Sequence, residues 1–160
     1  MLSVALATVA GAGAAAEGGR WAIRGDGPSM QAVWQPPRPA RRLWMRCDRG
    51  DPVMLLQIDA AGLPAGLQHV VLVADGLRID YPVQKASLAG VPVFDSRIAL
   101  DAPVLDRMLV AHRFAIDGGG RVEAVGTPGL ALARLVRACR ELHWPREASI
   151  DPSEAGFAKK

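Results

Sequence analysis

The chain has 160 residues, a length suited to one domain. Half of them are hydrophobic and 22% are charged, which supplies a core and excludes a disordered chain. The net charge is +3 and the pI about 9.3. The arginines, however, are scattered and mostly sit beside acids, as Arg24 with Asp26, Arg46 with Asp48 and Arg78 with Asp80. That mixed surface excludes the basic stripe of a nucleic-acid binder.

Residues 1–16 read MLSVALATVAGAGAAA, an uncharged apolar run ending in Ala14, Ala15 and Ala16. The pattern predicts a secretory signal peptide with a small-residue cleavage site, although only the amino terminus supplies the basic n-region. It is too short and too rich in Ala and Gly for a membrane span, so no stable span is expected once it is removed. Residues 17–40 form a Gly/Pro-rich lead-in with Trp21, and 29–35 (SMQAVWQ) predict an edge strand. Pro36, Pro37 and Pro39 then impose an extended link.

A β-rich domain is expected over 41–142, followed by a polar tail over 143–160. Along 42–48 the residues alternate, with Leu43, Met45 and Cys47 on one face and Arg42, Trp44 and Arg46 on the other. A turn at 48–52 leads to a second strand at 53–59. Strands at 69–75 and 77–83 flank Asp75-Gly76, a hairpin signal. In the second of these, Leu77, Ile79, Tyr81 and Val83 are expected to point inward. A strand at 93–100 precedes a short helix at 102–108, with Asp101 as its N-cap and Pro103 in its first turn. Residues 109–116 predict a strand with Val110, Phe114 and Ile116 inward, and 121–125 pair back across the Asp117 to Gly120 turn. Thr127 and Pro128 open the last helix, whose apolar stripe is Leu132, Leu135, Val136, Cys139 and Leu142. The fold class expected is mainly β: an antiparallel sheet or sandwich of about six to eight strands, with the C-terminal helix packed on it and one short inserted helix.

Cys47 and Cys139 both fall on inward positions, near opposite ends of the domain. In an exported chain this pattern favours a disulfide, and in a reducing compartment two buried thiols. A bridge closing roughly ninety residues would stabilise the fold by about 4 kcal/mol in the chain-entropy picture. No CxxC spacing supports redox chemistry.

Chemistry-bearing patterns are sparse. His69, His112 and His143 stand apart, with no HxH or HExxH spacing, so no metal site and no cofactor are expected. Neither a GxSxG elbow nor a phosphate loop is present. If the chain were an envelope hydrolase or carbohydrate-binding enzyme, its acid–base groups would come from Asp80, Asp95 or Asp117 with His112, gathered in one pocket. Arg-Gly-Asp occurs at residues 24–26 and 49–51. These tripeptides read as turn chemistry, and as adhesion motifs only if exposed. Arg42, Trp44 and Arg46 share one strand face and form a candidate interaction surface.

The apolar leader, the "L-x-M-x-C" strand of Leu43 to Cys47, the "RFAID" strand and the "GLALARLVRAC" helix ending at Cys139 resemble a group of small periplasmic proteins. These are the invasion-associated locus B family and the type VI secretion accessory proteins called TagO or VasI. The resemblance spans residues 43–139. It implies a β-rich envelope domain without established catalytic residues, with Cys47 and Cys139 as a structural bridge. The expectation is therefore a periplasmic or extracellular protein, non-enzymatic, acting as an accessory or binding module through its surface, with another envelope protein as partner.

Overall fold

The computed structural model describes residues 19–36 and 42–145. The expected leader at 1–16, most of the proline link and the tail beyond Pro145 lie outside these residues.

Ten strands and two α-helices make up the described chain. They are β1 (Arg20–Arg24), β2 (Gln31–Gln35), β3 (Leu43–Cys47), β4 (Val53–Asp59), β5 (His69–Ala74), β6 (Leu77–Pro82), β7 (Gln84–Leu88) and β8 (Val91–Ala99), then α1 (Pro103–Val110), β9 (Phe114–Gly118), β10 (Arg121–Val125) and α2 (Gly129–His143). A 3-10 turn, Gly27–Ser29, joins β1 to β2. All strand pairs are antiparallel. They form a six-stranded sheet in the order β1-β2-β3-β4-β8-β7 and a four-stranded sheet in the order β10-β9-β5-β6.

Period-two patterning decides which side chains turn inward. Met45 of β3, Met54 and Leu56 of β4, Leu72 of β5 and Ile116 of β9 meet in one core shared by both sheets and both helices. α2 adds Leu132, Leu135, Val136 and Cys139, all buried. Burying a side chain of Leu or Val size contributes about 1.5–3 kcal/mol, so this stripe is enough to hold the helix against β1, β2 and β3. At one side the chain itself crosses between the sheets, at Val83 between β6 and β7. At the other side Trp21 Nε1 donates to the Gly126 carbonyl at 2.7 Å. Its ring lies 5.9 Å from that of Trp34. Gly19 and Gly126 both abut the Trp34 ring, leaving no room for a side chain at either position.

Cys47 and Cys139 form a disulfide with Cα atoms 5.4 Å apart and a sequence separation of 92. Beside it, His143 Nε2 bonds the Asp48 carbonyl at 2.7 Å, and Arg140 donates to the Leu100 carbonyl at 3.0 Å. The end of α2 is thereby fastened to the β3–β4 turn and to the α1 approach.

The structure departs from the sequence expectations in several places. β1 and β7 were not anticipated, which raises the count above six to eight strands. β2 lies between β1 and β3 and is no edge strand. The cap position of α1 is Ala102 and that of α2 is Pro128, neither with a side-chain cap bond. α1 runs on through Val110, so that residue belongs to a helix and is 68% exposed rather than inward on a strand. Leu77 and Leu142 are likewise exposed rather than inward.

Candidate interaction surfaces

The outer face of the six-stranded sheet carries Arg42, Trp44 and Arg46. Register aligns Val33, Trp44, Gln57 and Asp95 in one row across β2, β3, β4 and β8. Gln31, Arg46, Leu55 and Arg97 form the next row. Arg42 and Arg46 are exposed, whereas Trp44 is only 9% exposed and packs with Val33 and Val93. The accessible groups here are therefore guanidinium groups around an enclosed indole. Arg46 Nε donates to Gln57 Oε1 at 3.3 Å, and Gln57 Nε2 donates to Asp95 Oδ1 at 3.0 Å. Gln57 is buried, and these two bonds satisfy both ends of its amide.

The two Arg-Gly-Asp segments lie on exposed turns. In the second, the Asp51 carboxylate accepts from Arg97 at 2.6 Å. Asp48 Oδ1 accepts from the backbone N–H groups of Gly50 and Asp51 at 2.8 and 3.1 Å. Those two donors, helped by Arg97 and Arg46, hold the Asp48 carboxyl below its ordinary value.

The acid–base candidates are not gathered in one place. Asp80 and Asp117 flank Val71 on the outer face of the four-stranded sheet. Asp80 pairs with His69 at 2.9 Å. Asp117 pairs with Arg78 at 2.8 Å and accepts from the Gly120 N–H. Asp95 belongs to the other sheet, and His112 is exposed in the link after α1. Among the described residues no three His, Cys, Asp or Glu side chains stand close enough to hold a metal ion. Nor, among these residues, is any helix long and apolar enough to cross a membrane.

The hairpin expected at Asp75-Gly76 is present, and it carries a clasp that the sequence did not signal. The β5–β6 turn, Asp75 and Gly76, takes positive φ at both residues, 46° and 86°, as a tight hairpin requires. The Asp75 carboxylate accepts from the His112 and Arg113 N–H groups at 3.1 and 2.8 Å. The Asp75 N–H returns a bond to the Arg113 carbonyl at 2.9 Å. These backbone donors, His112 first, lower the Asp75 carboxyl from its ordinary value. Beside this clasp lies a cavity of about 230 Å³ lined by Ala74, Asp75, Leu77, Arg107 and Val110. One signal was available in the sequence: Val104, Leu105, Met108 and Ala111 form a helical stripe, and Val110 falls off it.

No family model matches the chain, and no curated protein or solved structure matches it.

Proposed function

We propose that this chain is an exported envelope protein that works as a non-enzymatic binding or accessory module, recognising another protein through its surface. The observation that carries the reading is the buried Cys47–Cys139 bridge. A bridge of this kind persists in oxidising compartments and rarely in the cytosol. The apolar run at 1–16 supports the same compartment, and the resemblance to the invasion-associated locus B and TagO proteins supports an envelope role. Asp80 and Asp117 share a sheet face but are each paired to a different side chain, and with Asp95 on the other sheet and His112 in the link after α1 this favours recognition over the hydrolase alternative.

The test is the intact mass of the protein from its native host, with thiols alkylated before and after reduction, followed by fractionation. A processed chain in the envelope with both cysteines blocked until reduced supports the proposal. A full-length cytosolic chain with two free thiols overturns the compartment. Turnover of a substrate by the purified domain, lost on changing one pocket residue, would overturn the non-enzymatic role. The adhesion reading of the Arg-Gly-Asp turns predicts cell binding that disappears in Asp26→Ala or Asp51→Ala.

A further inference from the structure

The cavity beside the Asp75 clasp joins exposed apolar side chains to an unpaired guanidinium. Leu77 is 44% exposed and Val110 is 68% exposed, and both lie on its rim. Arg107, also on the rim, has no ion pair or hydrogen bond among the described residues; the Arg113 side chain likewise makes no hydrogen bond there, though its charge helps to lower the Asp75 carboxyl. Other charged side chains near this end are already engaged: Asp106 with Arg140 at 2.9 Å and Arg78 with Asp117 at 2.8 Å. Asp75 is the one acid lining the cavity, and both its oxygens are occupied by backbone donors.

What remains is an apolar pair bordered by the unpaired Arg107 guanidinium, with Arg113, whose charge also acts on Asp75, and the exposed His112 nearby. Apolar centres with a charged rim are the usual anatomy of a recognition patch, and arginine is prominent among residues that carry binding energy. We infer that the Leu77–Val110 cavity docks an acidic segment of a partner protein, with one apolar side chain seated between Leu77 and Val110 and flanking carboxylates on Arg107 and Arg113. This places the surface that the proposed binding role requires, and it rests on that reading. The Asp75 clasp gives the patch a fixed backbone, since it ties the β5–β6 turn to the α1–β9 link that carries His112 and Arg113. Little ordering entropy is then lost on docking.

The test uses the purified, oxidised protein and a defined probe: a short fluorescent peptide rich in Asp and Glu with one central Leu. Three comparison ligands are the same peptide with Ser for Leu, the same peptide with Lys for the acids, and vesicles containing anionic lipid. Amide shifts read by NMR should cluster at residues 74–77 and 107–113 for the acidic Leu peptide. Val110→Asp and the pair Arg107→Glu/Arg113→Glu should each weaken its binding by about tenfold or more, as loss of a central contact does. All three substituted residues are exposed, and unchanged urea midpoints will show that the variants fold. Equal binding of the Ser peptide, shifts confined to another face, or binding untouched by both variants overturns the inference. Vesicle binding that is lost in Val110→Asp, without peptide binding, also overturns it and assigns the patch to lipid. A cytosolic chain in the native host would sink the envelope role while leaving these peptide results standing.

Discussion

Removing the bridge is the most direct perturbation of this fold. Cys47→Ala/Cys139→Ala frees a loop set by a 92-residue separation. For a loop of that size the chain-entropy relation gives about 4–5 kcal/mol of lost stability. The bridge lies in the core, with Cys139 fully buried and Cys47 at 5% exposure, so vacating two sulfur positions adds about 1 kcal/mol more. Against a typical domain stability of about 5–15 kcal/mol, this is a third of the total or more. With an unfolding entropy near 0.25 kcal/mol/K for about 120 ordered residues, the Tm should fall by about 20–24 °C. Equilibrium urea unfolding, followed by tryptophan fluorescence, measures the loss. The slope m should rise as well, because the unbridged denatured chain exposes more surface. Reduced wild-type protein should match the double variant to within about 1 kcal/mol, the share assigned to the missing sulfurs. A loss below about 1 kcal/mol with unchanged m would refute the claim that the bridge stabilises by restraining the unfolded chain.

Two further outcomes follow from local geometry. Gly126→Ala would place a Cβ 2.6 Å from the Trp34 ring, which is buried and closed in by Gly19. A loss of about 1–3 kcal/mol is expected from overpacking, and Gly66→Ala, with open space around it, is the control that should stay near neutral; equal urea midpoints for the two would contradict this picture of the seam. Asp75 and Asp48 both titrate below their ordinary value of 3.8 when folded. Their stabilisation is therefore complete above that pH and is lost as the pH falls through the folded values. Asp75→Asn and Asp48→Asn should each flatten the decline of urea midpoint below pH 3.8, and a variant that keeps the full wild-type acid slope removes that carboxylate from the account.

Much of the architecture was legible because the sequence repeats one signal many times. Leu43, Met45 and Cys47 alternate with Trp44 and Arg46, and the α2 stripe from Leu132 to Cys139 has a clean helical spacing. The core positions of both cysteines follow from those two patterns alone. β7 was hidden for a physical reason: QKASL is polar, forms an edge, and turns at Ala89-Gly90, where an alanine takes a φ of 49°. Alanine carries no turn signal, and positive φ at a non-glycine residue is uncommon. β1 was masked by its Gly- and Pro-rich surroundings, although Trp21 and Ile23 do pack on the core. The candidate surfaces were less readable than the fold. Whether Trp44 is accessible depends on its packing with Val33 and Val93, which lie on other strands. Whether Val110 faces water depends on where α1 ends, and the sequence marks that point only weakly.

The bridge has a consequence for how the molecule matures. The sequence holds two cysteines, so one molecule can close a single intramolecular bond and has no scrambled isomers to sort. The hazard lies in timing instead. Cys47 is synthesised 92 residues before its partner, and every strand from β4 to β10 lies in that interval. Until α2 emerges and docks, the early thiol has no correct partner, and an oxidant can join it only to another molecule. Errors in maturation should therefore appear as covalent dimers whose yield rises with the concentration of nascent chains, while the monomer that escapes them is uniformly and correctly closed.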